Sequence, residues 1–340
     1  MGSVGRGAGK LLLFGEHAAV YGFPAVGLPL PSYTEAEINL SEAAEWRVEG
    51  VAKTASDGVR SVLTRLAGVG GLGGEVAIQS TVPQGLGFGS SSALCVALAR
   101  AARRAVGEGP DRRSVWMEAH RAEQVFHGTP SGIDTGLSLL GGLYGFRPAP
   151  PALPEAAHLR GFPMALIVGA VRRRDGTAGL IAGLRARMEE GDRAVRHGIT
   201  TLGRIAEGAI AVLDADDPPG TGGHAGSREL AGLADRAQAE LDRMGLGSPE
   251  LTRVLELGRA AGALGGKLSG AGGGGAFYLL AESGRAAESV ARELGRRAKE
   301  EGIALPGGVQ PVEWYEPGGG HPPAAKPRKR EVTWRASQRV

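Results

Sequence analysis

Two short stretches, Gly85-Leu86-Gly87-Phe88-Gly89 and Gly270-Ala271-Gly272-Gly273-Gly274-Gly275, constrain this chain more than any other feature. Glycine loses the most chain entropy on folding, so it gathers where the backbone takes positive φ or where another group must come close. The first stretch follows Glu75 to Val82, whose alternation reads as a strand. It precedes Ser90-Ser91-Ser92 and an Ala/Leu-rich run to about Val106 that reads as a helix. Strand, glycine turn and helix start together present free N–H donors and a partial positive charge, which suits a polyphosphate. Alone, such a turn is equally compatible with a structural role. The second stretch runs straight into the apolar Ala276-Phe277-Tyr278-Leu279-Leu280, where a flexible linker seldom leads. Neither stretch is a Walker A loop or a dinucleotide fingerprint, because G-x-x-x-x-G-K-[ST] is missing and the third glycine of the first falls at the wrong offset.

The 58 glycines among 340 residues are about 17%, against a usual share of roughly 7%, yet they follow no Gly-X-Y period and charges are interspersed. That excludes collagen and argues against general disorder. The length suits two domains, and Arg147 to Pro154, with four prolines, reads as their junction. Lys10–Phe14 and Ala165–Val171 read as strands. A helix over Arg112–Phe126 places Val115, Ala119, Ala122 and Phe126 on one stripe with Glu123 at its edge. Another opens at Thr177 with Leu180, Ile181, Leu184 and Met188 inward, and Asp214 to Gly226 reads as a polar loop. The irregular alternation favours α+β over a doubly wound parallel sheet.

The lone Cys95 excludes an internal disulfide framework and multi-cysteine zinc sites, and no apolar run approaches the roughly 20 residues of a membrane helix. A cytoplasmic protein with no membrane contact is expected. Six basic residues and Glu331 fall within 317–340, leaving 33 basic and 35 acidic residues in 1–316. The basicity therefore belongs to a tail, expected to be a disordered basic extension without specific nucleic-acid binding.

Lys10, Glu16 and His17 gather around the first strand and its turn, and His127 to Asp134 delivers an aspartate beside the apolar Leu137, Leu139 and Leu140. An acid so placed costs desolvation unless paired, and Lys10 is a partner for it. Each of these residues in isolation fits a solvated or turn-capping role as well. No H-E-x-x-H or G-x-S-x-G occurs, so zinc-peptidase and serine-hydrolase chemistry recede.

Four segments in order resemble the GHMP kinase superfamily and, within it, the mevalonate kinases: GKLLLFGEHAAVYG (9–22), VPQGLGFGSSSA (82–93), HGTPSGID (127–134) and KLSGAGGGG (267–275). The resemblance spans residues 9 to 275. It implies an N-terminal ATP-binding domain over 1–155 and a ferredoxin-like C-terminal domain over 162–316, with the active site in the cleft between them. It also implies transfer of the ATP γ-phosphoryl group to the terminal hydroxyl of mevalonate, with ATP and Mg²⁺ as cofactors and a homodimer as a possible assembly.

By the same resemblance Asp134 is the catalytic base and Lys10 the cation beside it. Pro83, Gly85, Leu86, Gly87, Phe88, Gly89, Ser90, Ser91, Ser92, Gly270, Gly272 and Gly273 contact ATP. Ser91 and Glu123 hold the metal, and Lys10, Glu16, His17, Ser131, Asp134 and Thr177 meet the substrate. Phe88, Ser92 and Thr135 stand where the family usually has Leu, Ala and Asn. Asp175 replaces a family arginine, leaving Arg172, Arg173 or Arg174 to meet the substrate carboxylate. Phosphomevalonate kinase and a non-catalytic metabolite sensor of the same fold are the alternative readings.

Overall fold

Strand β1 (Ser3–Phe14) pairs antiparallel with β2 (Ala25–Ser41) along most of its length. It begins seven residues earlier than the apolar run predicts, because Gly5, Gly7 and Gly9 occupy the alternate positions where a strand would normally show apolar side chains. A Cβ at Gly5 or Gly7 would collide with the carbonyl oxygens of Ala97 or Ala93. The glycines thus let helix α2 (Ser90–Ala105) lie directly on the strand.

The computed structural model describes residues 2–314 except 43–44, 67, 70, 110, 129, 174–176 and 216–223. The basic tail, Arg174, Asp175 and most of the predicted 214–226 loop lie outside the described residues. Around β1 and β2 a sheet forms from β3 (Trp46–Glu49), β4 (Gly73–Ser80), β5 (Tyr144–Arg147) and β6 (Glu155–His158), in the order β3-β4-β2-β5-β6. Helices α1 (Lys53–Leu63), α2, α3 (Arg112–His127) and α4 (Ile133–Leu140) share a core with it built on Ile38, Val76, Leu98, Trp116, Leu137 and Phe146. Strand β6 extends this sheet past residue 155, so the proline-rich connection lies between two strands of one sheet.

The second sheet has β7 (Met164–Val171), β8 (Gly265–Leu268), β9 (Gly275–Ala281) and β10 (Val309–Trp314), all antiparallel in the order β10-β7-β9-β8. Taken in chain order that is 4-1-3-2, the ferredoxin-like arrangement. Strands β7 and β9 are buried at every position, which explains their unbroken apolar sequences. Helices α5 (Thr177–Glu189), α6 (Arg193–Leu213), α7 (His224–Arg243), α8 (Pro249–Ala260) and α9 (Gly284–Glu300) complete this half. Asp192, Ser248 and Ser283 accept from the first free N–H groups of α6, α8 and α9, a cap typically worth ~1 kcal/mol.

The two sheets share one core. Leu11, Leu13, Phe14 and Leu28 pack in a single cluster with Leu166, Ile167, Phe277 and Leu279, joined by Leu202 of α6 and Ala234 of α7. Two predicted inward residues face out instead: Phe126 is 39% exposed and Ile181 43%. Phe126 sits at the last turn of α3, with its ring close to Gly58 of α1. Helix α5 rests against α6, and of its predicted face Leu184 alone is fully buried.

Candidate active site

The centre of the site is assembled by backbone contacts before any side chain takes part. The Lys10 N–H donates to Phe88 O at 2.9 Å, tying β1 to the loop ahead of α2. Gly89, at φ +77°, leaves room for the lysine stem, since a Cβ there would come 2.6 Å from Lys10 Cγ. Lys10 Nζ then reaches Asp134 Oδ2 at 3.1 Å; the lysine side chain is 5% exposed and the aspartate 40%. Asp134 occupies the first turn of α4, entered through Gly132 at φ +79°, where the helix N-terminus favours a carboxylate. Its partner is buried while its own outer side stays open, so one face of the carboxylate can be approached.

Helix α2 starts at Gly89 with no side-chain cap. The N–H groups of Ser90, Ser91 and Ser92 therefore have no acceptor within the helix, and they lie next to Gly85, Gly87 and Gly89, all at positive φ. Pro83, Leu86 and Ser90 are half-buried beside them. Phe88 is different: its side chain is in the core, so it offers the loop only its backbone.

Ser92 is also buried, and its Oγ donates to Glu123 Oε1 at 2.5 Å, while Ser91 Oγ meets His127 Nε2 at 3.0 Å. Ser91 and Glu123, the two residues expected at the metal, thus each meet a different neighbour here, and Glu123 keeps its second oxygen unengaged. The Ser92 side chain is turned into the protein, which leaves its backbone N–H as the group it offers toward the loop. Glu123, expected at the edge of the apolar stripe of α3, is buried, with Oε2 lacking a partner among the described residues. Burial, reinforced by the negative charge of Asp134, pushes its pKa up to about 8, against the opposing pull of Ser92 and Lys10.

The second glycine stretch passes along the other side. Gly270, Gly272 and Gly273 have φ +101°, +89° and +69°, and a Cβ at Gly272 or Gly273 would strike Leu246 O or Leu180 Cδ1. Arg173, just past β7, lies between the two stretches: a Cβ on Gly87 would come 2.9 Å from an Nη and one on Gly275 2.6 Å from its Nε. Its Nε is shut off from solvent without a partner, and burial alone draws its pKa down.

The turn after β1 holds Glu16 and His17. Glu16 is buried and ion-paired with Lys267 of β8, so it does not lie open to a substrate as the motif implies; its Oε2 is buried and unpartnered. His17 has φ +59°, an unpartnered Nε2 and a pKa held down near 4 by burial. Ser131 is exposed, its Oγ accepting from Ile133 N at 3.3 Å, and Thr177 opens α5. Sequence reasoning missed Lys267 and His127 as participants. Lys267 lies in the short strand Gly265–Leu268, which is buried at every position.

Residues 51–142 match the family model described as GHMP kinases N terminal domain, and residues 224–300 the one described as GHMP kinases C terminal. A mevalonate kinase of Thermococcus onnurineus is 30% identical over 299 residues, covering 80% of this chain and 87% of the relative. The chain belongs to the mevalonate kinase family of GHMP kinases.

Among solved structures, the L. major mevalonate kinase in complex with R-mevalonate superposes with a TM-score of 0.74 at 22% identity, covering 90% of this chain and 94% of that one. Streptococcus pneumoniae phosphomevalonate kinase, in complex with phosphomevalonate and AMPPNP, superposes at 0.70 and 15% identity over 91% and 99%. These two share the two-domain α+β kinase fold with this family member. Among its described residues no helix is long and apolar enough to cross a membrane.

Proposed function

We propose that the protein transfers the γ-phosphoryl group of ATP to the terminal hydroxyl of (R)-mevalonate, giving 5-phosphomevalonate and ADP. The observation that carries this reading is the Lys10–Asp134 pair at 3.1 Å, set between an uncapped helix N-terminus and two positive-φ glycine stretches. Phosphoryl transfer asks mainly for positioning and charge neutralisation, which these parts supply.

In the reaction the terminal hydroxyl oxygen attacks phosphorus, its bond to the ADP oxygen breaks, and the hydroxyl proton passes to Asp134. Lys10, ion-paired with Asp134, steadies the attacking oxygen. The α2 N–H groups and the glycine backbones of both loops hold the triphosphate. Glu123 Oε2, buried without a partner, and the Ser91 hydroxyl are the oxygens that would hold Mg²⁺, and they fit a hard cation bound through few protein ligands. When bound, Mg²⁺ neutralises phosphate charge. Arg173 fits the substrate carboxylate, because its buried Nε has no acceptor among the described residues. The buried, unpaired Cys95 suits a reducing cytoplasm.

The test measures ADP release against mevalonate, phosphomevalonate, homoserine and galactose in parallel. Turnover on mevalonate alone is expected. Preference for phosphomevalonate would shift the acceptor, and turnover on none would favour a sensor.

A further inference from the structure

The end of β1 is clamped to the second half of the molecule by one buried polar group of contacts. Lys267 Nζ donates to Leu13 O at 3.3 Å, to Leu268 O at 2.6 Å and to Glu16 Oε1. All three ammonium donors are thereby used. Tyr278, which stands opposite Lys267 in the β8–β9 register, donates its hydroxyl to Leu13 O at 2.8 Å. Ser269 Oγ accepts from Leu12 N at 3.1 Å, and His17 bonds the backbone at Ala271.

The chain segment that makes these contacts is continuous with Gly270–Gly275, and the turn that receives them carries Glu16 and His17. Hence Lys267 stands on the link between the glycine stretch and the turn that adjoins it. A buried ion pair is a poor source of stability compared with an apolar pair of the same volume. Its use here is better explained by geometry: it fixes one Glu16 oxygen and leaves Oε2 buried without a partner.

We infer that Lys267 is a positioning residue that acts through Glu16, so that occupancy of the nucleotide loop sets the substrate turn and the two ligands bind cooperatively. The inference rests on the proposed acceptor. Nucleotide bound against Gly270–Gly273 restrains the segment that follows Lys267. Lys267 passes this restraint to Glu16 and the Leu13 carbonyl, and the turn is then held in its receptive shape. Removing the link leaves both sites present but independent.

The experiment measures the Kd of mevalonate by calorimetry, with and without saturating non-hydrolysable ATP analogue and Mg²⁺. It compares wild type, Glu16→Gln, Lys267→Met and the double variant. Lys267→Met alone leaves a buried carboxylate unpaired and is expected to melt lowest. The double variant removes both charges and recovers its melting temperature, so it serves as the folded test.

The analogue is expected to tighten mevalonate binding at least fivefold in wild type and less than twofold in the double variant. A role confined to stability would restore the coupling along with the melting temperature, and that result would overturn the inference. So would an uncoupled wild type that still binds mevalonate. Failure of wild type to bind mevalonate at all would instead count against the proposed acceptor, and then binding of the analogue alone, unchanged in the double variant, would also reject the link.

Discussion

Glu123→Gln separates the electrostatics of the buried carboxyl from its packing. Glutamine has nearly the same shape, can still accept from Ser92, and is neutral at every pH. In the folded protein Glu123 has a pKa of about 8, against 4.5 for the free side chain. The folded state therefore keeps its proton over a pH range in which the unfolded chain has lost it, and stability falls as pH climbs from 4.5 towards 8. At about 1.4 kcal/mol per unit, wild type loses about 3 kcal/mol relative to the glutamine variant by pH 7, and about 5 kcal/mol once pH passes 8. For a chain of this size that is a melting-temperature gap of roughly 5 °C at pH 7, closing near pH 5. Differential scanning fluorimetry of both proteins from pH 5 to 9, without nucleotide or metal, reads the gap directly. Taking the difference cancels the opposite trend from His17, whose lowered pKa makes stability rise with pH between about 4 and 6.5. A gap that stays flat over this range would refute the account of Glu123. Added ATP and Mg²⁺ are expected to shrink it, because a bound cation compensates the charge.

Asp134→Ala is expected to lower kcat by 10²- to 10⁴-fold, the usual worth of a positioned base, while the Kd of ATP measured by calorimetry changes less than threefold. Equal loss of both would remove Asp134 from the role of base. Gly89→Ala puts a side chain at φ +77° against Lys10 Cγ, so a melting point lower by several degrees and at least a tenfold drop in kcat are expected. Arg173→Met is expected to raise KM for mevalonate at least tenfold and leave KM for ATP within threefold. Removing residues 317–340 is expected to leave both KM values unchanged, and a large rise in either would give the tail a part in binding.

The readable parts of this molecule were those in which backbone and side chain both leave a mark on the sequence. The alternation of Val76 and Ile78, the unbroken apolar runs of β7 and β9, and the helix starting at Ser90 fall into place within about two residues. The glycine loops and the Lys10–Asp134 approach were legible because motif order reaches across sequence separation where periodicity cannot. The first seven residues of β1 were not, since glycine at alternate positions removes the side chains on which the strand pattern depends. Ser92 was noted as a departure, but which of three adjacent hydroxyls turns toward Glu123 depends on how α2 is rotated on β1, and only tertiary packing fixes that. Lys267 was quoted within a motif and given no task. Its partner lies 251 residues away, and nothing local distinguishes a lysine that crosses between sheets from one that reaches solvent.

The common core beneath both sheets restricts how this kinase can move. Leu11, Leu13 and Phe14 belong to the same packed cluster as Leu166 and Phe277, so the halves cannot swing apart as rigid shells without opening apolar surface to water. Opening and closing over a substrate must then fall to the loops at the rim, while the floor of the cleft stays fixed through the catalytic cycle. The same continuity makes the molecule a poor subject for dissection: a chain cut near residue 160 would leave the core around Leu98 and Phe146 whole but split the cluster beneath both sheets, and the site with it.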